Sequence, residues 1–127
     1  MAQVFLYNIT DPQKASRIRA ALFRRGISGR AVKREEYAHP VGYLAGRPGF
    51  APGTGASSDF SDEMLLLDDL SREQFIGLLD DLRAAGAAVD LKAVVTETNA
   101  AWNSSQLHAT LKIEHESLHG ARKPPLG

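Results

Sequence analysis

The residue pattern that most clearly suggests a chemical activity lies near the end of the chain, where a His-Glu-x-x-His sequence runs from His115 to His119. Two histidines four residues apart lie on one side of a helix, where they can share a metal ion while the glutamate acts as a base. Gly120 follows at once, and the tail supplies no third ligand. We therefore expect no metal and no cofactor, and a metal-dependent hydrolase is kept only as a remote alternative.

A second group of polar residues, from Thr96 to Trp102, follows the last strand that the sequence predicts. Hydroxyl and amide groups at the end of a strand, beside a helix N-terminus, can bind a small anion or the backbone of a partner. The same side chains can instead make the hydrogen bonds of a turn, with Trp102 packed against the next helix. The candidate ligand-binding or partner-binding residues are Tyr43, Gly46, Thr96, Thr98, Asn99 and Trp102.

The first apolar stretch, residues 4–9, fits the opening strand of RNA-recognition-motif domains, where an aromatic residue at the second position stacks on a base. Such domains also need a basic, aromatic third strand, whereas residues 64–69 contain no aromatic ring and end in two aspartates. RNA binding through Phe5, with Arg17 and Arg24 of a basic first helix, is therefore an alternative function. We do not expect a nucleic acid to be the main partner.

Length and composition favour one domain without disulfides or cysteine-ligated metals. The chain has 127 residues, 43% of them hydrophobic, and no cysteine, which excludes disulfides and thiolate ligands. No stretch approaches the roughly 20 apolar residues of a membrane span, and no targeting signal is recognisable. We expect a cytoplasmic, non-enzymatic protein that binds a small ligand or another protein.

Charge is unevenly distributed although the formal net charge is zero. Residues 1–34 are rich in lysine and arginine, and residues 57–81 are rich in aspartate and glutamate. Such asymmetry can pair two molecules, attract a polyanion, or simply solvate two helices. Self-association through these complementary surfaces is the partner hypothesis that follows.

The elements that must position these groups form a repeated strand-helix-strand unit. In the second unit, Met64 to Thr96, Ser71 is placed to cap a helix, Gln74 completes a capping box, and Gly86 ends the helix. A shift of 60 positions aligns the first unit with the second, so that Asp11 replaces Ser71 as the cap. Both units therefore predict a strand, a capped helix and a glycine that ends the helix, in the same order.

The repeat predicts an α+β ferredoxin-like βαββαβ sandwich with an extra C-terminal helix and with strands 1 and 3 at the centre. A small doubly wound parallel α/β sheet is the alternative. The domain spans residues 1–120, with a disordered tail at 121–127. A glycine-rich segment, residues 38–63, separates the units; we expect a short turn or helix at 41–46 and mobility at about 47–62.

Several of these motifs together resemble a small uncharacterised bacterial protein family, a domain of unknown function. The resemblance rests on Gly42 to Gly46, on the unit from Met64 to Leu82, and most specifically on the block Leu91-Lys92-Ala93-Val94-Val95-Thr96-Glu97-Thr98-Asn99 with Trp102, Leu107, Glu114 and His115. It implies a stand-alone cytoplasmic protein and no particular activity.

Overall fold

The computed structural model describes residues 1–53, 55 and 57–122, with side chains up to residue 117. Over these residues the strands are β1 (Gln3–Tyr7), β2 (Ser28–Ala31), β3 (Met64–Asp68) and β4 (Leu91–Val94). The α-helices are α1 (Pro12–Arg24), α2 (Val41–Leu44), α3 (Arg72–Ala84) and α4 (Ser104–Arg122). Short 3₁₀ helices cover Arg34–Glu36 and Asn99–Ala101. No helix in this part of the chain is long and apolar enough to cross a membrane.

The strands form one mixed sheet in the order β2-β1-β3-β4. β1 pairs in parallel with β2, and β3 pairs in parallel with β4. The two pairs join at the centre, where β1 runs antiparallel to β3 and Phe5 lies opposite Leu66. The predicted α+β class and the central position of β1 and β3 are confirmed.

The ferredoxin-like strand arrangement is not confirmed. A split βαβ unit has another strand between its two parallel strands, whereas here β1 and β2 are direct neighbours, as are β3 and β4. The antiparallel pairing of β1 with β3 also excludes the alternative, a wholly parallel sheet. Apolar composition identifies the central strands, but it does not determine which edge strand joins which central strand.

The two strand-helix-strand halves repeat the same local structure, as predicted. The side chain of Asp11 caps α1, and Ser71 caps α3 in a capping box with Gln74. Gly26 and Gly86 follow the two helices with φ of +67° and +68°, a conformation that glycine adopts without steric cost. Each helix therefore begins and ends by the same physical means in both halves.

Both faces of the sheet are buried. Alternation along β1 turns Val4 and Leu6 toward α1 and α3, and turns Phe5 and Tyr7 toward α4 and the glycine-rich segment. Burial of a side chain of this size contributes about 1.5–3 kcal/mol. β3, covered on both faces and flanked on both edges, is buried at every residue.

The basic and acidic segments pair with each other inside the molecule. Arg25 at the end of α1 binds Asp81 of α3, with 2.9 Å between Nε and Oδ2. Lys14 binds Glu63 with 2.6 Å between Nζ and Oε1. These ion pairs give the two segments partners within one chain, so their complementarity does not require a second copy.

The glycine-rich segment makes defined contacts with the rest of the domain, and its mobility at about 47–62 stays a prediction. The Arg47 guanidinium binds the buried carboxylate of Asp68 at 2.8 Å, and the ring of Phe60 stacks on Tyr37 with 4.7 Å between centroids. The short helix predicted at 41–46 is α2. In the predicted tail, residues 121 and 122 extend α4 beyond Gly120, and residues 123–127 lie outside the described residues.

Candidate binding surface

The Asn99 side chain holds together the turn that follows β4. Its Oδ1 accepts a hydrogen bond from the Thr96 N–H at 2.8 Å, and its Nδ2 donates to the Val94 carbonyl at 2.9 Å. In return, Thr96 Oγ1 accepts from the Asn99 N–H at 3.1 Å. Asn99 is only 9% exposed. Asn99 and Thr96 therefore shape the turn, while the neighbouring Thr98 is exposed to solvent.

Trp102 connects this turn to the glycine-rich segment. Its carbonyl accepts a hydrogen bond from the N–H of Val41, the first residue of α2, at 2.8 Å. Gly42 lies so close to the Ala100 carbonyl that a β-carbon at Gly42 would be 3.0 Å from that oxygen. The two segments predicted as one candidate surface, although far apart in sequence, are thus in direct contact.

Tyr43 lies in α2 and Gly46 lies just after it, and the two residues differ in role. The Tyr43 side chain is 38% exposed, and its ring centroid lies 5.0 Å from that of His39. Gly46 follows α2 with φ of +76° and has no neighbouring atoms where a side chain would begin. Tyr43 can contact a partner, whereas Gly46 turns the chain.

A groove runs between β4 and α4 and encloses about 340 Å³. We call it the β4–α4 groove. All four predicted residues from Thr96 to Trp102 line it. The structure adds Lys92, Ala93, Val94, Leu107, Thr110, Leu111 and Glu114. Its apolar part includes Trp102 and Leu111, each half-buried, and its rim carries hydroxyl groups, one ammonium and one carboxylate.

The contribution of α4 to the groove has a sequence signal that a search for catalytic patterns does not detect. Leu107, Thr110, Leu111 and Glu114 recur at the spacing of one helix face. The Asn103–Gln106 capping box, with reciprocal hydrogen bonds of 2.9 Å, fixes where that helix begins. Because Thr110 and Glu114 are polar, this helix face is predicted to be partly exposed, and in the structure it is.

A separate cluster fastens the glycine-rich segment to α4. His108 Nε2 lies 2.8 Å from Asp62 Oδ2, and Lys112 Nζ lies 3.2 Å from the same oxygen. The ring of Phe60 stacks on His108 with 4.0 Å between centroids. The hydrogen bonds from His108 and Lys112 hold the pKa of Asp62 below its usual value. The cluster cannot be predicted from the sequence because Asp62 and His108 come together only in the folded chain.

The hydroxyl pair of Tyr7 and Ser104 lies in the interior. The two oxygens are 2.8 Å apart, and both residues are wholly buried. Burial raises the pKa of the Tyr7 phenol above its usual value. The pair therefore satisfies two buried polar groups and joins β1 to α4, and it presents no hydroxyl to solvent.

The residues of the metal hypothesis are only partly described. His115 is half-buried and lines a cavity of about 440 Å³ with Asp62, Lys112 and Glu116. The side chain of His119 lies outside the described residues. Among the side chains that the structure does describe, no group of three or more His, Asp or Glu residues could hold a metal ion.

The residues of the RNA hypothesis are not brought together. Phe5 is 1% exposed and lies on the sheet face opposite α1, with the Arg30 guanidinium 5.4 Å above its ring. Arg17 and Arg24 belong to α1 and are exposed. A base stacked on Phe5 would therefore be separated from both arginines by the sheet.

Fold and surface define a small α+β protein with a groove at one edge of a mixed sheet. Residues 63–118, which include β3, α3 and β4, match the model of a family described as a domain of unknown function, DUF3783. No curated protein and no solved structure matches the chain. The resemblance to a domain of unknown function is confirmed, and the biochemical function is unknown.

Proposed function

We propose that this is a non-enzymatic, cytoplasmic binding module that holds a small ligand or a short protein segment in the β4–α4 groove. The observation that carries the proposal is the groove itself, which β4, the turn from Thr96 to Trp102 and α4 line together, with the half-buried Trp102 among the lining residues. The hydrogen bond from the Val41 N–H to the Trp102 carbonyl holds the backbone of that turn from behind. Amphipathic aromatic residues are common anchors in binding surfaces.

Preorganisation supports the proposal. Asn99 uses both polar atoms of its side chain to hold the turn that forms one wall. The antiparallel bridge between Pro40 and Asn103, which includes the hydrogen bond from the Val41 N–H to the Trp102 carbonyl, holds α2 against that turn. A wall fixed in this way loses little conformational entropy when a ligand binds.

The lining indicates the chemistry of the ligand. A volume of about 340 Å³ lies at the lower end of the range for small-molecule sites, about 300–1,000 Å³. Leu111 and Trp102 offer apolar contact, while Thr98 and Thr110 offer hydroxyl groups. No histidine is among the described residues that line the groove. An apolar group flanked by hydrogen-bonding groups fits this lining better than a reacting substrate does.

A charge placed in the groove tests the proposal. Thr110→Arg fills the groove with a long cationic side chain, and Ala109→Arg, the matched control, places the same charge one residue away on α4, where Ala109 is exposed and lines a different cavity. Tagged full-length protein and both variants are used for native capture with mass spectrometry, which reads proteins and small molecules together. We expect Thr110→Arg to lose a ligand or partner that wild type and Ala109→Arg retain.

Fluorescence of Trp102, the single tryptophan, gives an independent reading. Adding the captured ligand or partner should shift the emission of wild type and of Ala109→Arg, and should leave Thr110→Arg unchanged. Identical captured sets and identical emission shifts in the two variants would contradict the groove as the binding site.

A further inference from the structure

The other sheet edge, β2, has an open outer side. β2 pairs only with β1, and all four of its residues are exposed. The Ser28 N–H bonds inward to the Ala2 carbonyl, and the Val32 N–H bonds inward to the Leu6 carbonyl. Because a parallel ladder alternates, the N–H and C=O groups of Gly29 and Ala31 point away from the sheet. No described residue bonds to these outward groups, which together form a template for another strand.

The edge at β4 is closed at the corresponding point. There the outward Val94 carbonyl and the outward Thr96 N–H are both bound by Asn99. On β2, the Lys33 N–H donates to Glu36 Oε1 at 3.0 Å. A carboxylate accepts hydrogen bonds but cannot donate one, so the Ala31 carbonyl stays open.

An apolar side chain stands beside the open edge. Leu22 of α1 lies against β2, since a β-carbon at Gly29 would be 2.6 Å from Leu22 Cδ1. Arg25, on the opposite flank of α1, reaches across to Asp81 of α3. Helical geometry then places Phe23 on the flank toward β2. Phe23 is 85% exposed, so an added strand would find an apolar contact next to its backbone.

The same edge carries unneutralised positive charge. Arg19 and Lys33 line a cavity of about 290 Å³ together with Ala31. Neither cation forms an ion pair with any described residue, whereas Arg30 is paired with Glu36 at 2.8 Å. Carboxylates on an incoming segment would meet Arg19 and Lys33 without displacing an existing partner.

We propose that β2 accepts an extended, acidic segment of another protein as a fifth strand, with an apolar side chain of that segment against Phe23. A second copy of this chain is a poorer occupant. Antiparallel pairing of two β2 strands through Gly29 and Ala31 would set the two Arg30 side chains directly opposite each other, and β2 contains no carboxylate that could meet Arg19 and Lys33. This surface is distinct from the β4–α4 groove and does not depend on it.

The first test maps binding on the full-length protein by amide NMR. The probe is a short capped peptide, Glu-Thr-Val-Thr-Glu, which places Val and both carboxylates on one face of a strand, and its counterpart with Lys in place of Glu is the control. We expect the acidic peptide to shift the Gly29 and Ala31 amide signals and to slow their hydrogen exchange, and the basic peptide to do neither. Absence of these changes with the acidic peptide, or equal changes with the basic one, would overturn the proposal.

The second test uses proline at matched positions on the two edges. Ala31→Pro removes an outward N–H and keeps the ladder with β1, and Val94→Pro makes the same change on β4. We expect Ala31→Pro to weaken binding of the acidic peptide about tenfold, as the loss of a hydrogen-bond donor predicts. Val94→Pro should bind like wild type. Equal effects of the two substitutions would contradict binding at β2.

Two further measurements keep the outcome decisive. Circular dichroism reports whether Ala31→Pro folds; Phe23→Ser, a change at an exposed side chain, tests the apolar contact if it does not, and should also weaken binding. Sedimentation without peptide reports self-association. A concentration-dependent dimer that Phe23→Ser or Ala31→Pro abolishes would assign the edge to a second copy and overturn the proposal of an acidic partner.

Discussion

The two sheet edges end in the same kind of local hydrogen bond but are closed by different side chains. After β4, the Thr96 N–H bonds to Asn99 three residues on, and after β2, the Lys33 N–H bonds to Glu36 three residues on. The side-chain amide of Asn99 also donates a hydrogen bond to the Val94 carbonyl, at the end of β4. Because the Asn99 amide has a nitrogen that can donate and the Glu36 carboxylate does not, the last carbonyl of β4 has a hydrogen-bond donor among the described residues and the last carbonyl of β2 does not.

The difference extends to what covers each edge. α4 packs against β4 and forms a groove with it, whereas all four residues of β2 are exposed. The family match covers the half that contains β4. The two halves therefore have similar cores but different surroundings at their sheet edges, and substitutions can test both the similarity and the difference.

The largest expected effect tests the similarity of the two cores. Ile18 and Leu78 occupy matching positions in α1 and α3, and both are fully buried. We expect Ile18→Ala and Leu78→Ala each to lower the free energy of unfolding by about 2–5 kcal/mol, because each leaves a cavity. Urea denaturation measures both. A large effect in one half and a negligible effect in the other would show that only one half carries the core.

The next effect tests the difference between the edges. Asn99→Ala leaves the Val94 carbonyl and the Thr96 N–H without their partner in a part-buried turn, and should cost about 1–3 kcal/mol. Glu36→Ala removes a cap from a more exposed segment, where water replaces it, and should cost less than about 1 kcal/mol. Asn99→Asp, which keeps the acceptor and loses the donor, should fall between them. Equal costs for the two alanine variants would remove the distinction between the edges.

A smaller effect tests the helix ends. Gly26 and Gly86 have φ of +67° and +68° and open space around them. Substitution by alanine forces a side chain into the left-handed region, at about 1–2 kcal/mol. Thermal unfolding should show similar losses for Gly26→Ala and Gly86→Ala, and a neutral result at either site would mean that the helix end in that half rearranges.

The smallest effect is a pH dependence confined to one edge. Burial opposes ionisation of Glu36, but its bonds from the Lys33 N–H and the Arg30 guanidinium outweigh burial and hold its pKa below the usual 4.5. The stability that it contributes is complete above pH 4.5 and is lost as the pH falls through the lower folded value. In amide NMR, the backbone N–H signal of Lys33 should shift in that acidic range as Glu36 is protonated. The Thr96 signal, held by a neutral amide, should not move with it.

Local features of the fold could be predicted because local residues determine them. The caps at Asp11 and Ser71 and the glycines that end the first two long helices all act within a few positions of the chain. The central strands could be identified from Val4-Phe5-Leu6 and Met64-Leu65-Leu66-Leu67 because strands buried on both faces must be apolar throughout.

Other features depend on contacts that the sequence does not specify. Ser28 to Ala31 carries no alternation that selects β1 over β3 as its neighbour, so the strand order could not be derived. At the candidate surface, the turn from Thr96 to Trp102 was identifiable by residue type. The role of Asn99 as a structural clamp and the wall formed by α4 emerge only when β4 and α4 are side by side.

The pairing of Phe5 with Leu66 predicts an order of events in folding. Each half joins strands that are neighbours in sequence across a single helix, while the central pair joins residues on either side of the whole first helix and the glycine-rich segment. Closing the longer loop costs more chain entropy and comes later. The contact at the middle of the finished sheet is therefore expected to be the last one made.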